Sequence, residues 1–451
     1  MSRAAVPRYL GDDFSAASPG LRFGMYLNIW TSREDQEKEI RDWAGRRSRE
    51  ARELAGILET QGMDAAIAYA RDRRNFPRLW EKNDFAARDA WKNICRLSDN
   101  DKAAVEGLRK RQNALLAGKD DAGCMTLFGR STAPFVTGMG NEHPLENGFS
   151  FLWPYGVPYL PGSGVKGVLR QAVRELASGQ WGESEWNDKP IVTLKVGKKQ
   201  VSLTAMDLLF GLESEGHGKE HFRGVLTFWD VIPEIKGDKL MVEIMTPHQT
   251  HYYQKGQPPH DSGMPTPIQF LTVPPGSSFH FHVTCDTLRL QRIAPDLLTE
   301  ADGAPRWKAL LTEAFQHAFD WLGFGAKTAV GYGAMETDED ARLKQEQARQ
   351  EAREQAELEE SLKELPGDAA ELERARLSGA WKETNDFLQS VEAFLEDRDR
   401  VSPEALDILK EAVGQRWPGI LDDPEATTGK KKKPKYKPRP KKIALRIREL
   451  V

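Results

Sequence analysis

Residues 159–170 read YLPGSGVKGVLR and join an apolar run to a segment with the apolar periodicity of a helix. Gly162, Gly164 and Gly167 satisfy the pattern GxGxxG, in which glycines let the backbone come close to a phosphate group. Turns of this kind occur in dinucleotide-binding folds, in ATP-binding loops and on surfaces that bind other polyanions. The residues around the turn distinguish these three possibilities.

The flanking sequence disfavours a dinucleotide fold and excludes an ATP loop. A dinucleotide fold needs a strand before the turn and an acidic residue about 20 positions on, at the end of a second strand. Here Pro161 precedes the glycines directly, and GQWGESEWND (179–188) contains no apolar strand. An ATP loop reads GxxxxGK[ST], but Lys166 comes before Gly167, and the Lys-Thr pair at 327–328 follows alanine.

Lys166 and Arg170 suggest a different ligand. They are four residues apart, so they project from one face of the first helical turns. The helix dipole and the unsatisfied backbone N–H groups at that end favour negative charge. We therefore predict a site for phosphate oxygens, which a phosphodiester chain satisfies as well as a nucleotide. The structural alternative is that the glycines cap a turn and the two cations are solvated.

A second glycine-rich stretch, GFGAKTAVGYG (323–333), strengthens the prediction of a phosphate site. Gly323 and Gly325 allow close backbone approach, and Lys327 supplies a positive charge. The aromatic residues of this stretch are open to two interpretations, because they could pack in the core or stack on bases.

Composition limits the class of protein. A chain of 451 residues suggests two or three domains, and a net charge of −4 means that any basic surface is local. Its cysteines, Cys95, Cys124 and Cys285, form no CxxC pair, which argues against a disulfide framework or a thiolate zinc site. The N-terminus has no apolar signal region and no apolar run is of membrane-spanning length, so we expect a soluble, cytoplasmic protein.

Changes in composition divide the chain into five segments. We predict an N-terminal segment (1–32), a helical insertion (33–118), an α+β core (119–340), a helical extension (341–425) and a basic tail expected to be disordered (426–451). The first strand of the fold is predicted within the N-terminal segment, at LRFGMYLNIW (21–30). Within the core, a helix at 165–177, several short strands and a helix at 304–322 follow in the order of a ferredoxin-like layer.

Several motifs lie between the two glycine-rich stretches, in this order: TGMGNEHPLENGF (137–149), LFG (209–211), GVLTFWDVIP (224–233), MTPHQTHYY (245–253) and MPTPIQFLTV (264–273). Together with PGSGVKGVLR and GFGAKTAVGYG they resemble the RAMP superfamily of CRISPR-associated RNA-binding proteins. Within it, the chain is similar to the family of sixth subunits of type III-B Cmr effector complexes. The sequence departs from that family at Gly164, where a second serine is usual, and segments 33–118 and 341–451 lie outside the family pattern.

The resemblance implies a ferredoxin-like, RRM-related fold in a non-catalytic subunit near the 3′ end of a guide RNA. The implied partners are guide (crRNA) and target single-stranded RNA, the repeated backbone RAMP subunit and the small helical subunit, with no cofactor, metal or membrane. RNA recognition would depend on phosphates and shape, since the guide varies in sequence. The predicted RNA-binding residues are Gly162, Ser163, Gly164, Lys166, Arg170, Gly323, Gly325, Lys327, Thr328 and Tyr332, with further contacts possible at His248, His251 and Tyr252.

The alternative function is a RAMP-type RNA endonuclease that processes guide precursor or cleaves target RNA. Such a reaction needs a base for the 2′-hydroxyl, usually histidine, and His143, His248 and His251 are available. Asp261 could promote metal-dependent cleavage, and HGKEH (217–221) has the spacing of metal ligands on a helix. His143 lies in a glycine-rich loop, where a packing role is favoured, and the glycines at 216 and 218 favour a loop over a helix. We predict no catalytic activity.

Overall fold

The computed structural model describes all residues except 1, 74, 75, 77, 197, 198, 213–220, 247–251, 253–255, 259–266, 302, 397, 399, 429–432 and 451. The chain divides into two compact units, Met1–Arg342 and Leu343–Val451. Within the described part of the chain, no helix is both long enough and apolar enough to cross a membrane.

The N-terminal part of the first unit is helical, as its composition predicts. Its helices are α1 (Pro19–Gly24), α2 (Arg33–Ala44), α3 (Arg49–Gln61), α4 (Met63–Arg73), α5 (Asp84–Cys95) and α6 (Asp99–Ala117). Capping boxes begin α2 at Ser32 and α6 at Ser98, because each serine side chain accepts a backbone N–H and an aspartate three residues on returns a hydrogen bond. Helices α2 to α4 enclose a small core of their own around Ile40 and Leu54.

The apolar run at 21–30, which the sequence predicts as the first strand, is not a strand. Its first part belongs to α1, because the Ser18 side chain caps the first turn and Pro19 fits there without losing a hydrogen bond. Its second part is irregular, and Leu27 and Ile29 are buried in the main core. Burial of individual side chains, rather than sheet pairing, explains why the run is apolar.

A four-stranded antiparallel sheet forms the centre of the first unit. Its strands are β1 (Cys124–Ser131), β2 (Leu226–Phe228), β3 (Ser278–Cys285) and β4 (Met335–Thr337), in the spatial order β2-β3-β1-β4. The longest pairing joins β1 to β3, from Cys124 opposite Thr284 to Arg130 opposite Ser278. Side chains alternate along β3, so that Phe281 is buried on one face and His280 lies on the other.

Two helices cover one face of this sheet. Helix α7 (Gly162–Ala177) follows β1, and α10 (Arg306–His317) follows β3; between them come the short helices α8 (Ala205–Phe210) and α9 (Thr287–Ile293). The ring of Phe315 on α10 lies 5.3 Å from that of Phe281 on β3, measured between centroids. Helix α10 ends in a π-helical turn at Ala318–Leu322.

The first unit also contains short antiparallel hairpins that are separate from the central sheet. They pair Glu142–His143 with Glu146–Asn147, Phe151–Leu152 with Val157–Pro158, Val192–Val196 with Lys199–Leu203, Gly211–Leu212 with Phe222–Arg223, Met241–Met245 with Ile268–Thr272, and Glu300–Ala301 with Ala304–Pro305. The hairpin of Gly211–Leu212 and Phe222–Arg223 is the one that concerns the candidate site.

The second unit is helical and has its own core. Its helices are α11 (Glu339–Lys363, which begins in the first unit), α12 (Gly367–Leu377), α13 (Thr384–Glu396), α14 (Pro403–Arg416) and α15 (Pro438–Glu449), with a small hairpin of Thr427–Thr428 and Lys433–Pro434. Phe387, Val391 and Leu409 are buried in this core.

The prediction of a disordered basic tail at 426–451 is wrong for its last part. Residues 438–449 form α15, and Ile443, Ala444 and Ile447 are buried in the core of the second unit. Their spacing places them on one face of a helix, so the burial of this apolar stripe offsets the repulsion among the basic side chains. Lys430, Lys431 and Lys432 lie outside the described residues.

Candidate functional site

The first turn of α7 is already bound by another part of the chain. Pro161 provides no side-chain cap, and the Gly162 N–H donates a hydrogen bond of 2.8 Å to Oδ1 of Asp230. That carboxylate supplies the negative charge that the helix dipole favours. An anion at this end of α7 must therefore be bound mainly by side chains rather than by the Gly162 N–H.

The three glycines of the opening motif differ in their surroundings. A Cβ added to Gly162 would lie 2.2 Å from the carbonyl oxygen of Phe228, so this glycine is needed where α7 packs on the end of β2. A Cβ on Gly164 would meet only the side chain of Leu160 at 3.3 Å, and one on Gly167 would meet nothing within 4 Å. Packing therefore explains Gly162, a Cβ at Gly164 would require Leu160 to shift slightly, and of the three glycines only Gly167 faces open space.

An open groove of about 330 Å³ lies beside the first turns of α7. Ser163, Lys166 and Arg170 line it from the helix, as the sequence predicts for one helical face. The opposite wall consists of residues 210–212 and 222–224, which include the exposed Arg223. None of the described residues that line the groove is acidic. The groove thus combines three cationic side chains with one hydroxyl group.

Arg170 has a positioning role in this groove. Its side chain is buried, and Nη1 donates a hydrogen bond of 2.8 Å to the carbonyl oxygen of Gly211. This bond ties α7 to the hairpin of Gly211–Leu212 and Phe222–Arg223, which forms the opposite wall. The guanidinium of Arg289 stacks on the ring of Phe222 from 4.6 Å and supports the same hairpin. The more accessible charges of the groove belong to Lys166 and Arg223.

The second glycine-rich stretch packs against another part of the chain. A Cβ on Gly325 would lie 2.3 Å from the carbonyl oxygen of Val136, and one on Gly333 would lie 1.8 Å from that of Phe324. The backbone also forms hydrogen bonds there, from Phe324 N–H to Gly333 O and from Ala326 N–H to Val136 O. These glycines are required for backbone packing, which explains them without a ligand.

The side chains of this stretch divide between core and surface. Phe324 is fully buried, and the ring of Tyr332 packs edge-on against Phe270 with centroids 5.5 Å apart. Burial and the neighbouring Glu243 raise the pKa of Tyr332. Both aromatic rings thus pack against the core of the protein, which favours a packing role over base stacking.

The second stretch is exposed at Gly325 and at residues 329–331. Lys327 has a left-handed backbone conformation (φ 59°) and precedes a single 3-10 turn at Thr328–Val330. Lys327 and Thr328 are half-buried. The described hydrogen bonds and pockets do not join this stretch, including Gly323, to the groove, so a surface shared by the two stretches stays a prediction.

His143 has the geometry of a packing residue. Its ring stacks on that of Phe23 with centroids 3.7 Å apart and planes 2° apart. Nε2 lies 2.7 Å from the carbonyl oxygen of Phe23, and Nδ1 accepts the N–H of Leu145 at 3.1 Å, so Nε2 carries the proton. Burial lowers the pKa of His143. Both ring nitrogens are bound within the fold, which does not suit a general base.

The other candidates for catalysis or RNA contact are mostly outside the described residues. These are His217, His248, His251 and Asp261. Tyr252 is described and exposed, and His221 is exposed as well. Among the described residues, no group of three or more His, Cys, Asp or Glu side chains is arranged to hold a metal ion.

Sequence reasoning missed a polar cluster on the face of the sheet that α7 and α10 leave uncovered. Nε2 of His280 on β3 lies 2.7 Å from Nη2 of Arg109 on α6, and Nδ1 of His282 lies 3.0 Å from Oγ1 of Thr126 on β1. Burial and the positive charge of Arg109 lower the pKa of His280 to about 3. The alternation in FHFHVTC (279–285) was the available signal, because a buried strand with polar residues at every second position needs polar partners.

Residues 130–336 match the family described as the RAMP superfamily. That stretch, just under half of the chain, resembles a RAMP domain. This match includes the groove, the second glycine-rich stretch and most of the four-stranded sheet. The helices α1 to α6 and the second unit lie outside the RAMP match.

Individual proteins resemble the same region. The chain is 29% identical over 243 residues to CRISPR system Cmr subunit Cmr6 of Pyrococcus furiosus, a match that covers 46% of this chain and 66% of the relative, just under two thirds. A crystal structure of Cmr6 from Pyrococcus furiosus is similar at 27% identity, with 48% of this chain and 97% of that chain covered and a TM-score of 0.26. A cryo-EM structure of the type III-B Cmr-beta complex bound to cognate target RNA contains a chain 20% identical, with 55% and 70% covered and a TM-score of 0.37.

Proposed function

We propose that this protein is a Cmr6-like, RNA-binding RAMP subunit of a type III-B CRISPR effector complex that acts in antiviral defence. The RAMP match and the similarity to Cmr6 support the assignment to such a complex. The order of the sheet, β2-β3-β1-β4 with helices after the first and third strands, supports the finer assignment of a ferredoxin-like, RRM-related domain.

One observation carries the RNA-binding part of the proposal. Ser163 and Lys166 from α7 line the same groove as Arg223 from the hairpin, with no acidic side chain among its described lining residues. Such a groove suits phosphate oxygens and makes no contact that depends on the identity of a base. A subunit that binds guide RNAs of varying sequence requires this kind of contact. We therefore assign the groove to the backbone of the guide RNA, near its 3′ end.

Contacts with neighbouring subunits are the second part of the proposal. Trp181 and Trp321 are exposed, and their rings lie 5.0 Å apart between centroids. An exposed aromatic pair is typical of a protein interface, where such side chains contribute much of the binding energy. We propose that the backbone RAMP subunit and the small helical subunit are partners, in the cytoplasm, with target RNA bound by the assembly.

The experiment on RNA binding compares the wild type with the double variant Lys166→Ala and Arg223→Ala. Affinity for a single-stranded RNA oligonucleotide is measured at several salt concentrations. Loss of two phosphate contacts is expected to weaken binding and to reduce the slope of log K against log salt by about 1.4. The control is Lys189→Ala with Arg292→Ala, which removes one lysine and one arginine from exposed sites outside the groove. Equal slopes for both double variants would refute the groove assignment.

Arg170→Ala separates positioning from direct contact. Because Arg170 is bonded to the Gly211 carbonyl, this change is expected to lower the thermal stability of the first unit as well as RNA affinity. A loss of affinity with unchanged stability would instead assign Arg170 to direct phosphate contact.

The absence of catalysis is part of the proposal, and it is supported by the bound nitrogens of His143. Purified protein is incubated with guide precursor and with complementary target RNA, in Mg²⁺ or in EDTA. Both RNAs are expected to stay intact. Cleavage that is lost on His248→Ala or Asp261→Ala would favour the endonuclease alternative.

A further inference from the structure

A second cleft adjoins the groove beside α7. It has a volume of about 390 Å³ and shares Arg223 and Gly224 with the groove, so the two surfaces meet at this short stretch of backbone. Its other walls come from the segment before β1, from β2, and from the end of β3 with the turn into α9. A nucleotide chain that passes Arg223 therefore has room in both the groove and the cleft.

Threonine hydroxyl groups are concentrated in this cleft. Thr227 of β2 and Thr284 of β3 lie directly opposite each other, so their Cβ atoms are about 5 Å apart on one face of the sheet. Thr227 is exposed, Thr284 is half-buried, and Thr287 lines the same cleft. The indole N–H of Trp229 donates a hydrogen bond of 3.4 Å to Oγ1 of Thr284, which leaves the O–H of Thr284 to donate to another group.

Two carboxylates line the cleft and are held by backbone hydrogen bonds. Oδ1 of Asp286 accepts the N–H of Arg289 at 3.0 Å, and Oδ1 of Asp120 accepts the N–H of Ala122 at 3.3 Å. A carboxylate keeps further lone pairs after one such bond, so both side chains can still accept a hydroxyl proton. Arg289 and the exposed Lys119 line the cleft as well and offset the two negative charges.

This combination of groups distinguishes the cleft from the groove. The described lining of the groove has no carboxylate, which suits a phosphate, whereas Asp120 and Asp286 would repel an anion placed in the cleft. A ribose 2′-hydroxyl is uncharged and both donates and accepts hydrogen bonds, so it matches threonine hydroxyls beside carboxylates. The same group is what allows a protein to distinguish RNA from DNA.

We propose that the cleft binds the ribose 2′-hydroxyl of a nucleotide next to the one whose phosphate lies in the groove. Thr227, Thr284 and Asp286 then make the protein select RNA over DNA, a choice that phosphate contacts alone do not make. The inference rests on the proposed function, because the groove must bind the neighbouring phosphate for the sugar to reach the cleft.

The test measures the affinity of the full chain for three single-stranded oligomers of equal length, namely oligouridylate, oligodeoxyuridylate and 2′-fluoro oligouridylate. They share the same base and phosphates and differ only at the 2′ position. The wild type is expected to bind the oligouridylate most tightly. Thr227→Val replaces an exposed hydroxyl by a methyl group and should weaken RNA binding by about 2- to 10-fold, the worth of one hydrogen bond. Its affinity for the deoxy oligomer and its salt slope should stay at the wild-type values, because no charge is removed.

Two controls separate a hydroxyl contact from other effects. Thr337→Val makes the same change at an exposed position of β4, the opposite edge strand of the sheet, and should leave all three affinities unchanged. The 2′-fluoro oligomer keeps the sugar conformation of RNA but has no proton to donate, so it should bind like the deoxy oligomer. Thermal unfolding checks that both variants are folded.

Several outcomes would overturn the inference. These are equal binding of RNA and DNA by the wild type, an equal loss on both for Thr227→Val, and the same loss for Thr337→Val. Tight binding of the 2′-fluoro oligomer would assign the preference to sugar conformation instead. If Lys166→Ala reduces the salt slope while RNA and DNA bind equally, the proposed function stands and the inference about the cleft fails. If the wild type binds none of the oligomers, both fail.

Discussion

His280 is expected to make the stability of the first unit depend on pH below neutrality. Its Nε2 lies 2.7 Å from Nη2 of Arg109, and a guanidinium can only donate hydrogen bonds, so Nε2 accepts and the ring is neutral. Burial, then the positive charge of Arg109 and the neighbouring His282, lower the pKa of His280 to about 3, while Asp338 acts in the opposite direction. Protonation would place two N–H groups against each other.

The magnitude follows from the difference in proton binding between the folded and unfolded states. An unfolded histidine has its ordinary pKa of about 6.5, so between pH 6.5 and 3 the unfolded state binds more protons than the folded state. The stability is therefore complete above pH 6.5 and decreases as the pH falls, by about 1.4 kcal/mol per pH unit. From pH 7.5 to pH 5.0 the expected loss from His280 is about 2 kcal/mol.

The measurement is urea unfolding of the wild type, of His280→Gln and of His221→Gln, at pH 7.5 and 5.0. His221 is an exposed histidine and serves as the control. The wild type and His221→Gln should lose about 2 kcal/mol more than His280→Gln over this range, whatever the stability of each at pH 7.5. An equal pH dependence in all three proteins would refute the reasoning, as would an NMR titration of the His280 ring with a midpoint near pH 6.5.

Two matched pairs of variants, one pair within each unit, test the packing inside that unit by chemical denaturation. Gly162→Ala is expected to lower the free energy of unfolding by about 1–3 kcal/mol, because its Cβ would lie 2.2 Å from the Phe228 carbonyl oxygen. Gly167→Ala faces open space and should raise it by up to about 1 kcal/mol. Ile447→Ala should destabilise the second unit by about 2–5 kcal/mol, whereas Leu445→Ala, at a side chain 37% exposed, should cost under about 1 kcal/mol. Equal effects within either pair would contradict the packing described.

Much of the helical structure could be predicted from the sequence, because helical periodicity and capping are local. The segment 33–118 and the helix after the glycine motif are examples. The prediction of a strand at 21–30 was wrong because an apolar run is compatible with a buried helix or an irregular segment as well as with a strand. The prediction of a disordered tail was wrong because it rested on the high positive charge of the segment and not on the short apolar stripe of Ile443, Ala444 and Ile447. The burial of that stripe depends on helices that are distant in sequence.

The candidate site was only partly predictable for a similar reason. The placement of Ser163 and Lys166 on one face follows from helix geometry, and both line the groove. Arg223 could not be found this way, because it reaches the groove through a hairpin that Arg170 ties to α7. The same geometry does not tell whether a cation on that face is exposed, and Arg170 is buried. A glycine in such a motif also need not indicate a ligand, since Gly162 leaves room for a carbonyl oxygen of the protein itself.

The stacking of Phe23 on His143 has a consequence for the order in which this protein folds. The hydrogen bond between these two residues joins positions 120 apart in the sequence, and α2 to α6 form most of the chain between them. Helices α2 to α4 make their contacts with neighbours along the chain, so they can form early, whereas the ring stack must close a long loop. Helices α2 to α4 are thus expected to form before the contact that joins α1 to the hairpin of Glu142–His143 and Glu146–Asn147, and mutations at Phe23 should accelerate unfolding while leaving the folding rate nearly unchanged.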